Sequence, residues 1–473
     1  MKQLVSEDVA DRLRAWANGR PIPRFQTKCL EIAKDPYVVA LVRMGGEGRP
    51  WAIASGPAGG SPTVRSVADP RVQQAVAPMV ESFGQDLLRV FPAGKSSKVD
   101  QNDPQLWLPD PSHLDLLHQM AFAYAYERWP LPDMRRLNRA GKLFNSLFLQ
   151  STHPAQNTVM TATEVLRSLY TFPATPARQG HLGFLIAWLV EHGDRTLRQL
   201  SASSAEERAV STSIDGEFER RVLYRLLERY VASGREDTET AGQIMEFVEE
   251  EARRRWDITV AALRIIRRDH RPTNSGVVTV KERGRRSWNQ LWCEPAARED
   301  AGESPRWRGR ETDRGAVAAA RYYLRNELAE RLRVEALAHG DSEIARLVVR
   351  QGRGLAGKII AIDTQDGAVR MQYSEPEHVD IREGTSYQCF GNRALTLQAE
   401  DSDPSSRQVD LRVTSGSISF RARQQILLLE HAPEFLTENK INNMDSGNTE
   451  LDRQLRSAAQ DIDEVPDNQG DDE

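Results

Sequence analysis

Past Gly352 the apolar residues of this chain stop recurring at helical spacing. They fall instead into seven short runs within about 65 residues, at 358–363, 368–373, 378–381, 386–390, 394–399, 409–413 and 417–420. Runs of this length separated by turn residues suit a small barrel or rolled sheet, because each is long enough for one strand and too short for a stable helix. The first two flank Asp366-Gly367, a pair that readily supplies the positive φ angles of a tight hairpin turn. Residues 421–430 are expected as a helix closing this unit, and the polar, acidic sequence beyond Glu434 as a disordered tail.

Before Gly352 the pattern is mainly helical. The exception lies near the start, where apolar runs at 38–44 and 51–55 are joined by Gly45, Gly46, Glu47 and Gly48 and read as a β-hairpin. Val72, Val76, Met79, Val80, Phe83, Leu87 and Leu88 then repeat at helical spacing and predict a helix over 71–90 that covers the hairpin. A polar linker rich in Pro and Asp follows at 95–111, and beyond it helix follows helix. Thr161 with Glu164, and Ser203 with Glu206, have the spacing of a capping box. With 473 residues the chain has room for about three domains.

The expected fold class is therefore α+β and multidomain: mainly helical over the N-terminal two-thirds, with a small sheet-plus-helix unit at the start, a small C-terminal β-barrel-like domain and a disordered acidic tail. The expected divisions are 1–100, a mixed sheet-and-helix domain; 105–270, an irregular helical domain; 271–351, a basic Arg- and Trp-containing connector with helices; 352–434, the barrel-like domain; and 435–473, the tail.

Charge is unevenly spread. Between Arg253 and Arg286 there are 11 Lys/Arg against 3 Asp/Glu, whereas between Leu436 and Glu473 there are 3 against 11. Clustered arginines attract phosphates by releasing counterions, and interleaved tryptophans offer surfaces on which unpaired bases stack. Arg253, Arg264, Arg267, Arg268, Arg283, Arg285, Arg286, Trp288 and Trp292 are the candidate nucleic-acid-binding residues. The ordinary alternative is that the tryptophans are core and the arginines pair with nearby acids.

Catalytic patterns stop short. Gly352 to Lys358 has the GxxxxGK spacing of a phosphate-binding loop, but Ile359 stands where a Ser or Thr would hold magnesium, and the continuation reads as a strand. His113 and His118 are five residues apart, so on a helix they diverge by about 140° and do not converge on one ion. Glu246, Glu249, Glu250 and Glu251 read as a solvated helix face. No metal-ligand set or cofactor emerges. Cys29, Cys293 and Cys389 form no CxxC pair or even framework. The longest apolar run, 182–190, is too short to span a membrane.

These features lead to an expectation of a cytoplasmic, non-catalytic nucleic-acid-associated component or adaptor, with DNA or RNA and a protein as partners and no membrane. The alternatives are an interaction scaffold that binds no nucleic acid, and a nucleotide- or metal-dependent enzyme whose site assembles from scattered residues.

Overall fold

The computed structural model describes residues 11–24, 31–45, 48–94, 103–125, 135–269 apart from 155 and 192, 284–304, 307, 327 and 330–431 apart from 364, 376–380 and 419. The chain divides into two compact units: residues 1–273 with 281–307, and residues 274–280 with 308–473. The fold is α+β, with helix dominating the first unit and a closed barrel in the second. Residues 378–380 of the expected run at 378–381, the acidic tail and Arg283 lie outside the described residues.

The strands of the first unit are β1 (Ile22–Pro23), β2 (Tyr37–Arg43), β3 (Pro50–Pro57), β4 (Thr63–Ser66), β5 (Leu106–Leu108), β6 (Val159–Thr161) and β7 (Tyr170–Thr171). Its main helices are α1 (Gln73–Val90), α2 (Pro111–Tyr124), α3 (Arg135–Ser151), α4 (Ala162–Leu169), α5 (Leu182–Val190), α6 (Arg195–Glu206), α7 (Tyr224–Ala232), α8 (Thr238–Asp269) and α9 (Glu294–Asp300). The main sheet has the order β4-β3-β2-β5-β6. β2, β3 and β4 form an antiparallel meander, while β5 and then β6 join the other side of β2 in parallel.

The early hairpin and the α1 helix stand as the sequence predicts. The sheet, however, crosses the expected division near residue 100: β5 comes from the expected linker and β6 from the stretch expected as helical, and both halves share one hydrophobic core. Each of those strands has three residues, too few to show a period of two. Val38 to Val42 are all buried, as in a sheet covered on both faces. The 32-residue α8 lies along β2, β3 and β4. α3 packs closely on its neighbours: a Cβ added at Gly141 would lie 2.4 Å from the Ala125 nitrogen.

Two local expectations are corrected. Ser203 lies inside α6, whose N-cap is Asp194 accepting from the Leu197 amide, so the second capping box does not form. Thr161 is the N-cap of α4, but its hydroxyl donates to the Glu164 carboxylate instead of accepting from an amide, so the first capping box does not form either.

The second unit holds α10 (Ser342–Arg350) and strands β8 (Gly354–Asp363), β9 (Ala368–Glu375), β10 (Ser386–Cys389), β11 (Asn392–Asp403), β12 (Gln408–Ser415) and β13 (Gln425–Glu430). These close into a barrel in the order β10-β11-β12-β9-β8-β13, with every pairing antiparallel. The β8–β9 hairpin turns at Asp366-Gly367 as expected, with Gly367 at φ 66°.

The helix expected over 421–430 is instead β13, and 417–420 is not a strand among its described residues. A short apolar run does not declare its period, and here pairing with both β8 and β10 decides it by closing the barrel. Leu355, Ile359, Met371, Leu397, Leu411 and Leu428 fill the interior. Of the two glycines that imitated a phosphate loop, Gly357 serves this closure, as does Gly354 between them: a Cβ at Gly357 would lie 2.1 Å from the Gln372 carbonyl oxygen, and one at Gly354 2.4 Å from that of Leu428.

Candidate functional site: a filled crevice and a basic helix end

In open sheets with parallel strands, ligands commonly bind beyond the carboxyl ends of the strands, where neighbouring connections diverge. β2 and β5 form such a place. Their pairing ends early, and past Leu108 the free edge of β2 needs other partners for its amides. His113, at the start of α2, supplies one: its Nδ1 accepts from the Leu41 amide at 2.9 Å. The segment 208–213 supplies the next, as the Arg43 amide donates to the Thr212 carbonyl at 2.8 Å.

This segment fills the crevice, and each of its six consecutive carbonyls has a partner. His181 Nε2 lies 3.1 Å from the Arg208 oxygen, Arg254 donates to that of Ala209, and His113 Nε2 lies 3.0 Å from that of Val210. Arg255 donates through Nε to Ser211 at 2.7 Å and through Nη2 to Ser213 at 2.9 Å, on either side of the Thr212 bond. Ser112 Oγ accepts from the Thr212 amide at 3.0 Å and donates to Asp110, the N-cap of α2.

The titratable groups are set by these contacts. Because Nδ1 accepts, the proton of His113 sits on Nε2, and the ring is neutral. Burial holds its pKa below the usual histidine value, and the charges of Arg255 and Arg43 push the same way against an opposing effect of Asp110. Arg255 is fully buried, and burial lowers its pKa to about 10, so the guanidinium stays charged at neutral pH. Glu251 balances it, accepting from Arg255 Nη1 at 2.6 Å and Arg254 Nη2 at 2.8 Å. Burial opposes ionisation of Glu251, but those two arginines outweigh it and hold the carboxyl at about 2. Its Oε1 also accepts from Arg208 at 3.0 Å.

The crevice thus carries histidines and arginines whose bonds are directed to the chain's own backbone, and a carboxylate, Glu251, that is taken up by the arginines. No group of three metal-ligating side chains occurs among the described residues. His118 stacks on Phe148 with centroids 3.6 Å apart, and so does not join His113. Glu249 accepts from Ser66 Oγ at 2.7 Å, while Glu246 and Glu250 are exposed.

The candidate nucleic-acid residues part company. Arg253, Arg264, Arg267 and Arg268 lie on the exposed side of α8. Arg267 Nη2 donates to the carbonyls of Ala33 and Lys34 at 3.0 and 2.9 Å, and Arg268 pairs with Asp269, which also accepts from Tyr170. Arg24 joins the same end, donating to Thr171 at 2.7 Å and to the Arg167 carbonyl at 3.4 Å. Exposed Arg24, Lys34 and Arg167 therefore gather with Arg267 and Arg268, an assembly from three distant stretches that linear charge counting missed.

Trp288 and Trp292 belong to the core. Trp292 is fully buried and donates through Nε1 to the Phe91 carbonyl at 2.9 Å, and Trp288 meets Phe91 edge-on at 5.5 Å. Arg139 lies 5.0 Å from the Trp292 ring. These rings offer no face to a base, because the apolar positions of their helical turns point inward. Arg285 is half-buried and Arg286 exposed on the stretch leading to them.

No protein-family model matches the chain, and no curated protein or solved structure does so either. Among the described residues no helix is long and apolar enough to cross a membrane.

Proposed function

We propose that this chain is a non-catalytic nucleic-acid-associated component of the cytoplasm, acting with a partner protein that supplies any enzyme activity. The observation that carries the reading is the contrast between two places in the first unit. In the crevice, where a substrate would be expected, Arg254, Arg255 and His113 hold the backbone of the chain's own segment 208–213 and Glu251 accepts from its Arg208 side chain. At the C-terminal end of α8, Arg24, Lys34, Arg167, Arg267 and Arg268 remain exposed on one surface. Such a surface suits phosphates, which bind clustered cations without needing a deep pocket.

The test is a salt series of binding to duplex DNA, single-stranded DNA and RNA, comparing the full chain with the combined Arg264→Ala, Arg267→Ala and Arg268→Ala variant. Weaker binding is expected in the variant, with the slope against log salt reduced by roughly 0.7–0.9 for each phosphate no longer neutralised. Unchanged binding and slope would remove this face from the reading. No binding by the unaltered chain at physiological salt would favour an interaction scaffold.

A further inference from the structure

The segment that fills the crevice forms, on its outer side, one wall of a pocket of about 320 Å³. Its apolar surface comes from Ile214, Phe218 and Phe247, the two rings meeting edge-on at 5.6 Å. Phe247 is 37% exposed, although it belongs to the helix that otherwise covers the sheet. Glu207, Asp215 and Glu250 line the same pocket, and Glu207 and Glu250 are exposed. Arg208 and Glu251 complete the wall paired with one another at 3.0 Å, which holds the Arg208 guanidinium against a carboxylate that Arg254 and Arg255 share. Asp215 Oδ1 accepts from the amides of Glu217 and Phe218 and caps the helical turn that carries Phe218.

We infer that this pocket docks an arginine side chain from a basic segment of a partner protein. The charge and shape of the walls choose the occupant. An aliphatic stem fits against Ile214, and a planar guanidinium against an aromatic face within reach of carboxylates gains both cation–π attraction and charge-assisted hydrogen bonds. A neutral or anionic group finds only the first of these environments or is repelled. The inference rests on the proposed adaptor role, for which it supplies a place and a chemistry for the protein partner. It is separate from the basic surface at the far end of α8.

The test uses the full chain and ligand-observed NMR with N-acetyl-arginine amide, its neutral N-acetyl-citrulline twin and spermidine. Saturable binding of the arginine probe is expected, with the citrulline twin about tenfold weaker or worse. Phe247→Ala and, separately, Glu207→Gln with Glu250→Gln are expected to weaken the arginine probe by a similar factor; all three positions are exposed, so folding is retained. Equal binding of the twin, indifference to these substitutions, or no binding of the arginine probe would overturn the inference, and tighter binding of spermidine would replace it with a free polyamine. Nucleic-acid affinity measured on the same samples separates the two readings: its loss with the pocket intact strikes the α8 surface alone, and its retention with an inert pocket strikes the docking site alone.

Discussion

The Leu41 amide donates to His113 Nδ1 at 2.9 Å, so an imidazole takes the place of a backbone acceptor on the free edge of a central strand. The same ring reaches the Val210 carbonyl through Nε2 at 3.0 Å and thereby joins the sheet to the segment that fills its crevice. A proton added to Nδ1 would face an amide proton and two arginines, which is why burial and surroundings keep the ring neutral.

A pH dependence follows from the sign of that shift. The folded-state pKa of His113 is lowered, so above the unfolded value of about 6.5 neither state takes up a proton and the full stabilisation is present. As pH falls below about 6.5 the unfolded chain binds the proton first, and stability declines toward the lower folded pKa. His113→Leu is expected to cost roughly 3 kcal/mol at alkaline pH by leaving two buried backbone groups unpaired. Its difference from the unaltered protein should shrink as pH falls below about 6.5. Urea unfolding across that range checks it; a constant difference would show that His113 does not titrate as argued. Glu251, held at about 2, loses its contribution only as pH falls below its ordinary value of 4.5.

Arg255 is the second anchor of the segment. Arg255→Met removes donors to Ser211 and Ser213 and leaves Glu251 with less compensation, at an expected cost of about 3–5 kcal/mol. Hydrogen exchange should then accelerate at Thr212 and its neighbours well before the barrel strands respond. Protection at 208–213 equal to that of the parent protein would mean that the other bonds hold the segment unaided.

Gly357 separates barrel closure from nucleotide binding. Gly357→Val places a side chain against the Gln372 carbonyl, with a Cβ only 2.1 Å away, and is expected to destabilise the barrel by more than about 2 kcal/mol. Adding ATP with magnesium should leave the melting temperature of the parent protein unchanged. A nucleotide-induced rise that Gly357→Val abolishes would restore the phosphate-loop reading.

Trp292 distinguishes core from stacking surface. Trp292→Phe loses the bond to the Phe91 carbonyl and part of the packing, an expected loss of about 1–2 kcal/mol. Affinity for single-stranded DNA, measured well below the melting temperature, is expected to remain unaltered. Weakened binding by a fully folded variant would return the ring to the interface.

The sequence by itself determined the kinds of elements and several of their places. Helical spacing from Val72 to Leu88 marked α1, the apolar runs around Gly45 marked the β2–β3 hairpin, and Asp366-Gly367 marked the barrel's first turn. Those signals are legible because periodicity and turn chemistry are local. The tertiary structure decided what the elements meet. β5 and β6 are too short to show a period, and the apolar run in β13 became a strand through its two neighbours. The crevice cluster draws on Leu41, His113, His181, Arg254 and Arg255, and its acceptors are backbone carbonyls, which every residue possesses and no sequence pattern distinguishes. The arginine run was visible in the same way, but only packing separated Arg255, buried against the crevice, from Arg264 and Arg268, left exposed on the outer side of the same helix.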